Sequence, residues 1–330
     1  MKQPGFRLRR EHGLLVLLLG TMLLLSTTVE YFLTPQNLLL VLRDQAHLGI
    51  LAAGMTLVIL TGGIDLSVGS ATALAGMALG LAWQGTHSLV AALLAALGVG
   101  LGAGAVNGAL VTGGRIPPLI VTLATLSMYR GAAYALGGSA GIGGFPAGLL
   151  AWSRADWLGF PAPAWLALTI WVTVGLFLAR TPGGRALYAL GAAPAAARLS
   201  GLPVSRLLVG VYALNGLLAG AAAIIYAARN NSVKPDIGLD YELLVITMVV
   251  LGGVRVTGGE GTVAGTVLGF LTLTAIQRGI TLRGLPAELH GLVVAGLLVG
   301  ALWLDSRIGL HAARAAPIGE RTTERRGGAG

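Results

Sequence analysis

From Leu48 to Trp83 this chain has one ionisable side chain, Asp65, set in the string Gly62-Gly63-Ile64-Asp65-Leu66-Ser67-Val68-Gly69-Ser70. The apolar runs beside it, Leu48 to Thr61 and Val68 to Trp83, carry no charge. A charged side chain at the centre of a membrane helix costs about 2.5–3.5 kcal/mol on insertion scales, so an intramembrane carboxylate marks a candidate functional site. The premise that this is membrane protein rests on composition. Hydrophobic residues make up 55% of the chain and charged residues 11%, against roughly 25% charged in soluble domains. A soluble fold of this composition would lack a polar surface. The expected fold class is all-α, a polytopic integral membrane protein.

About 20 apolar residues cross a bilayer. On that measure about ten transmembrane helices are expected, near 13–33, 46–62, 67–83, 88–111, 119–138, 163–179, 206–227, 242–257, 261–279 and 286–304. The chain then divides into an N-terminal tail (1–12), a transmembrane domain (13–304) and a basic C-terminal tail (305–330) expected to be disordered. Lys2, Arg7, Arg9 and Arg10 before Leu14–Leu25 resemble the start of a signal peptide. No small-x-small cleavage site follows, so an uncleaved first span is expected.

Lys and Arg positions orient the bundle. With ten spans and both termini cytoplasmic, fifteen basic residues face the cytoplasm and six face outward, with Arg130 inside a span. Treating 46–83 as one broken span changes the division to nine inside and twelve outside. The positive-inside rule favours two spans joined near the cytoplasmic side at the Asp65 string. The net charge of +9 has the same origin and does not point to nucleic acid. Cysteine is absent, which excludes disulfides and thiolate chemistry.

Several motifs carry two readings each. Asp65 and Ser67 are good helix N-caps after a glycine pair that permits a tight turn; alternatively they line or gate a substrate path. In the fourth span Gly98, Gly100, Gly102, Gly104 and Gly108 make overlapping small-xxx-small pairs suited to close helix packing. Asn107 and Asn215 are suited to hydrogen bonds between helices. Arg130 needs a buried partner, for which Asp65 is a candidate, or else snorkels to an interface. The external segment 139–162, with Trp152, Trp157, Phe160, Pro161 and Pro163 ahead of Trp165, reads as an interfacial belt. The polar external segment 228–241 reads as solvated or as a contact for a soluble partner. In the loop 180–206, Thr181-Pro182 starts a helix, and a short second helix from Ala195 to Ser200 stops at Gly201. That compact element reads as a docking handle more readily than as a merely basic loop.

Catalytic signatures are weak. Lys2 and Lys234 are the only lysines and no Gly-Lys-Ser/Thr occurs, so there is no P-loop. Gly137-Gly138-Ser139-Ala140-Gly141 matches Gly-x-Ser-x-Gly without its strand-to-helix context. The five histidines are scattered, without metal-ligand spacing. No catalytic residue and no metal site is expected.

The ordered motifs resemble the inner-membrane permease subunits of bacterial ABC importers for monosaccharides, the ribose/xylose/arabinose group. The resemblance rests on Gly62–Ser70, Asn107-Gly108, Ile116-Pro117-Pro118-Leu119-Ile120-Val121-Thr122-Leu123-Ala124-Thr125-Leu126 and Tyr129-Arg130-Gly131. It continues in Thr181-Pro182-Gly183-Gly184-Arg185-Ala186-Leu187-Tyr188-Ala189, Gly252-Gly253 and Gly258-Gly259-Glu260-Gly261-Thr262. It spans about residues 35 to 305. It implies a non-catalytic, multi-pass permease of the cytoplasmic membrane, paired with a second copy or a related permease. It also implies a cytoplasmic ABC ATPase, which carries the ATP and Mg, and an extracytoplasmic sugar-binding protein; this chain itself holds no cofactor. The 180–206 loop would carry the coupling helix, through Gly184, Arg185, Ala196, Ala197, Arg198, Leu199 and Gly201. Ala195 stands where the family usually has Glu, which removes one polar contact. Asp65, Ser67, Asn107 and Arg130 become candidates for gating or lining the path. The blocks around Tyr129-Arg130-Gly131 and Tyr241–Gly253 look nearest to the rhamnose and autoinducer-2 permeases. The rival readings are an ion-coupled secondary transporter of a small polar solute, for which only Asp65 qualifies as a proton carrier, and an intramembrane hydrolase, which lacks a nucleophile–base pair.

Overall fold

A computed structural model of the chain describes residues 5–138, 141–286 and 288–314, and places the side chains of 11–138, 141–286 and 288–303. Ser139, on which the hydrolase motif depends, lies outside the described residues. Among the described residues the long helices are α1 (Gly5–Thr28), α2 (Pro35–Leu60), α3 (Val68–Thr86), α4 (Leu89–Gly113) and α5 (Pro118–Gly137). After α6 (Ala147–Arg154) come α7 (Ala162–Arg180), α8 (Pro182–Ala192), α9 (Pro194–Leu199) and α10 (Val204–Asn230). The chain closes with α11 (Tyr241–Leu251), α12 (Val263–Leu282) and α13 (Glu288–Arg314). Four two-residue strands form two antiparallel pairs, β1 (Ile142–Gly143) with β4 (Ser232–Val233) and β2 (Asp156–Trp157) with β3 (Phe160–Pro161).

The all-α membrane architecture holds, and each expected span contains one of these helices. Seven of them, α1, α2, α4, α5, α7, α10 and α12, are long and apolar enough to cross a bilayer, while α11 and α13 are shorter apolar helices. Length and hydropathy thus single out seven candidate spans among the described residues, and by themselves do not establish the expected count of about ten. The helices also run past the drawn domain limits: residues 5–12 belong to α1 and 305–314 to α13, and 315–330 lie outside the described residues.

Helix α2 begins eleven residues before the expected 46, with Thr34 as its N-cap and Pro35 in its first turn. The two charges that this earlier start brings into α2 are paired: Arg43 with Asp156 at 2.5 Å, and Asp44 with Arg229. Every residue from Ala46 to Leu60 is buried, so this apolar-all-round half of α2 is the central post of the bundle.

Glycine sets the main packing seam. Cβ atoms built on Gly100, Gly104 and Gly108 would meet the α10 backbone, at 2.3 Å from the Gly216 carbonyl, 2.0 Å from the Tyr212 carbonyl and 2.6 Å from Val209 Cα. The stripe at 100, 104 and 108 is therefore the seam. Gly98 and Gly102 have nothing within 4 Å and do not contribute to it.

The segment 231–240 is solvated on one side only: Lys234, Asp236 and Asp240 are exposed, whereas Val233, Pro235, Ile237 and Gly238 are buried. α10 has 27 residues and α11 only 11, or about 40 Å against about 16 Å. The connection folds back into the bundle, burying Val233 and Ile237. There Gly238 meets Gly69 backbone to backbone: a Cβ on either would come within 2.4 Å of the other's carbonyl. The belt around 139–162 is α6 plus the β2–β3 hairpin, tied by Trp165 Nε1 donating to the Trp157 carbonyl at 2.9 Å.

The seam predicts a position-dependent response to the same substitution. Gly104→Ala forces backbone movement and is expected to cost about 1–3 kcal/mol. Gly98→Ala is expected to stay within about 0.5 kcal/mol of the parent. Thermal midpoints of the two purified variants, side by side, check this; equal midpoints would contradict the seam.

Candidate functional site

The Gly62–Ser70 string stops one helix and starts the next. Thr61 closes α2, and Gly62 takes φ +80°. The Gly62 N–H donates to the Ile59 carbonyl at 2.9 Å and the Gly63 N–H to the Val58 carbonyl at 3.3 Å. This is the paired-bond helix stop that favours glycine. Gly63 leaves room for the Tyr212 hydroxyl, which would lie 2.6 Å from a Cβ at that position.

Asp65 follows and is enclosed, only 2% exposed. Its Oδ1 accepts from the Ser67 N–H at 2.9 Å and from Ser67 Oγ–H at 2.7 Å. Its Oδ2 accepts from Asn215 Nδ2 on α10 at 2.8 Å. Asn107 Nδ2 on α4 donates to Ser67 Oγ at 2.7 Å. Tyr129 on α5 donates its hydroxyl to the Ala103 carbonyl at 2.8 Å and lies 3.3 Å from Asn107 Oδ1. Thr122 Oγ1 donates to the Ile64 carbonyl at 3.1 Å. One carboxylate thus ties the α2–α3 break to α4, α5 and α10. The Tyr212 hydroxyl and Asn215 Oδ1 remain buried beside it without a hydrogen-bond partner. Ser67 immediately precedes α3, yet its hydroxyl makes no capping bond; it turns back to Asp65.

Three of the four sequence candidates, Asp65, Ser67 and Asn107, therefore form one network. Arg130 does not join it, so of its two readings the candidate pairing with Asp65 is not realised. Arg130 lies eight residues beyond Thr122, about 12 Å along α5. It donates from Nη1 to the carbonyls of Pro235 at 2.7 Å and Ile237 at 2.6 Å, holding the segment 231–240.

The 180–206 loop is a built element. Thr181 Oγ1 accepts from the Gly184 N–H at 3.0 Å, capping α8. A Cβ on Gly184 would strike the Phe177 carbonyl at 2.4 Å, so α8 folds tightly against the end of α7. At the other end of α8, Gly191 lies against the Leu60 carbonyl, which would be 2.0 Å from a Cβ there, and the Gly259 N–H donates to that same carbonyl at 2.9 Å. In α9, Ala197 is buried with Leu190 and Val204. The N–H groups of Gly201 (φ +78°) and Leu202 close the helix onto the carbonyls of Arg198 and Ala197. Arg185, Ala196 and Arg198 are exposed, and Leu199 is 90% exposed. A cavity of about 1020 Å³ separates α9 from the α2 stop, with Gly62, Gly63, Arg115, Arg198 and Arg206 in its wall. Among the described residues, no three His, Cys, Asp or Glu side chains cluster closely enough for a metal ion.

Comparison with known proteins places this architecture. Residues 37–302 match the family model described as branched-chain amino acid transport system / permease component. The chain belongs to that permease family. The ribose import permease protein RbsC of Escherichia coli K12 is 39% identical over 302 residues, covering 90% of this chain and 94% of the relative. The autoinducer 2 import system permease protein LsrD of Photorhabdus laumondii is 34% identical over 313 residues, covering 93% and 94%. The corresponding protein LsrC of Enterobacter sp. strain 638 is 38% identical over 278 residues, covering 84% and 81%. No solved structure matches. As a permease of this family the chain is a multi-pass, non-catalytic transport component of the cytoplasmic membrane.

The permease network includes residues that sequence reasoning did not select as a site. Asn215 read as a packing residue, and Tyr129, Thr122 and Tyr212 carried no individual signal. Each lies on a different span or turn from Asp65, so only proximity could have joined them. The available sign was the cost of an amide in mid-span.

The network predicts a reciprocal rescue. Asp65→Asn sets an amide donor against Asn215 Nδ2 and is expected to cost about 1–3 kcal/mol. Adding Asn215→Asp restores one donor to one acceptor and should recover most of the loss in thermal midpoint. A double variant no more stable than the single one would count against the Asp65–Asn215 bond.

Proposed function

We propose that this permease imports a monosaccharide, of the kind ribose exemplifies, as the membrane subunit of an ATP-driven ABC importer. It works with a second permease copy or a related permease, a cytoplasmic ATPase that binds ATP and Mg, and an extracytoplasmic binding protein that delivers the sugar. The relatives, ribose and autoinducer-2 import permeases, support the solute class. Rhamnose is the competing sugar and rests on the two sequence blocks alone.

The contact between Gly191 and the Leu60 carbonyl carries the mechanism. In this reading, Arg198 and Leu199 on α9 engage the ATPase, and its closure displaces α8 and α9. Gly191 passes that displacement to the end of α2 without a side chain between. The glycine stop at Gly62–Gly63 then acts as the hinge, and the Asp65 network moves α3 with α4 and α10. Arg130, through Pro235 and Ile237, holds the opposite gate. Access alternates between the two ends. Asp65 serves here as the clasp of the moving junction, because its acceptors are engaged and it is enclosed by protein.

Leu199→Asp removes an apolar contact worth about 1.5–3 kcal/mol. It is expected to weaken retention of the ATPase on the purified permease by roughly 10- to 100-fold. Gly191→Ala is expected to leave the ATPase bound but to lower sugar uptake per ATP hydrolysed in proteoliposomes holding all components. Uptake that proceeds without ATP hydrolysis, or that collapses with an uncoupler at constant ATP, would refute the proposal.

A further inference from the structure

A second polar site lies far from Asp65, in a cavity of about 390 Å³ between α2, α11, α12 and α13. His47 is 13 residues before Leu60, and Gln277 is 14 residues after Val263. Both therefore stand about 20 Å along their helices from the α8–α9 end, in the opposite half of the bundle. Polar side chains at that depth are costly unless they serve a path or a partner. Yet the wall carries Gln45, His47, Tyr241, Gln277, Arg278 and His290.

Part of this set is mutually paired. Arg278 Nε donates to Asn37 Oδ1 at 2.6 Å, His47 Nε2 and the Tyr241 hydroxyl are 3.0 Å apart, and Asp44 at the cavity edge is ion-paired with Arg229. The pairing positions these groups: Asp44 has a cationic partner in Arg229, and the Arg278 guanidinium is oriented through its Nε by a neutral amide. What is left over includes side chains that can both donate and accept. The carboxamides of Gln45 and Gln277 and the imidazole of His290 are half-buried, and among the described residues no protein hydrogen bond engages them. A carboxamide offers both donors and an acceptor, as a sugar hydroxyl does. Val41, Leu48 and Leu244 supply apolar wall for the C–H faces of a ring. The volume lies within the roughly 300–1,000 Å³ usual for small-molecule sites.

We infer that this cavity is a transit subsite for a neutral polyhydroxylated solute, with the Gln45 and Gln277 carboxamides reading its hydroxyl pattern. The inference rests on the sugar-import reading above and adds the residues that select the solute. Binding there is weak, because a path must release what it admits.

The test uses the full importer in proteoliposomes, taking up labelled ribose together with its C3 epimer xylose. The ratio of the two is internal to each preparation and does not depend on how much protein has folded. Gln45→Leu and Gln277→Leu keep side-chain bulk and remove the hydrogen bonds. Each is expected to lower ribose uptake by about tenfold, the loss of one hydrogen bond, and to shift the ribose-to-xylose ratio. Gln84→Ala, at an exposed amide near the end of α3, is expected to change neither. An unchanged ratio in both cavity variants overturns the subsite, even where total uptake falls, because that fall is then structural. If the unaltered importer takes up neither sugar nor rhamnose, the sugar reading itself is overturned and the subsite with it.

Discussion

A carboxylate can remain inside a lipid-embedded bundle only when hydrogen bonds replace the water it has lost. Asp65 meets that condition with three donors, two from Ser67 and one from Asn215. Because the donors come from the α2–α3 junction and from α10, satisfying the carboxylate fixes where α10 stands against the break in the chain. Asn107 and Tyr129 extend the same chain of bonds to α4 and α5. The positions of four spans thus follow from one buried polar group. The unpartnered Tyr212 hydroxyl and Asn215 Oδ1 sit at the same place, so the polar centre is not fully satisfied.

Small residues provide the second constraint. Lipid chains are as apolar as the helices, so association relies on close packing rather than on exclusion of water. The α4–α10 seam, the Gly69–Gly238 contact and the Gly191–Leu60 contact all place backbone on backbone. Each removes the compliant layer of side chains through which a displacement would otherwise dissipate. The last of these links α8 to the α2 stop, and the second links the start of α3 to the 231–240 segment held by Arg130.

Much of this was legible in the amino-acid pattern. Ten apolar segments, the glycine stripe, the Thr181-Pro182 helix start and the Gly201 stop all follow from local rules of hydropathy, capping and backbone freedom. The reading went astray where a distant partner changed the local cost. Arg43 and Asp44 lie within α2 because Asp156 and Arg229 pair with them. Arg130 went to the carbonyls of Pro235 and Ile237 instead of to Asp65 because α5 carries it two turns too far. The 231–240 segment reads as a surface loop by polarity, and its charged residues do stay exposed; what polarity did not show is that Val233 and Ile237 anchor it in the bundle.

The amino-acid sequence by itself determined a membrane-embedded helical bundle, its family, the place where α2 stops and the helical character of the 180–206 element, since each depends on residues close together in the chain. Tertiary structure alone decided which polar groups meet. Asn215 is 150 residues from the Asp65 it contacts, and Tyr241 is 194 from His47. Whether a buried polar side chain acts as clasp, latch or ligand contact depends on what lies within hydrogen-bonding distance. That distance is set by how the helices pack, which no local pattern of residues encodes.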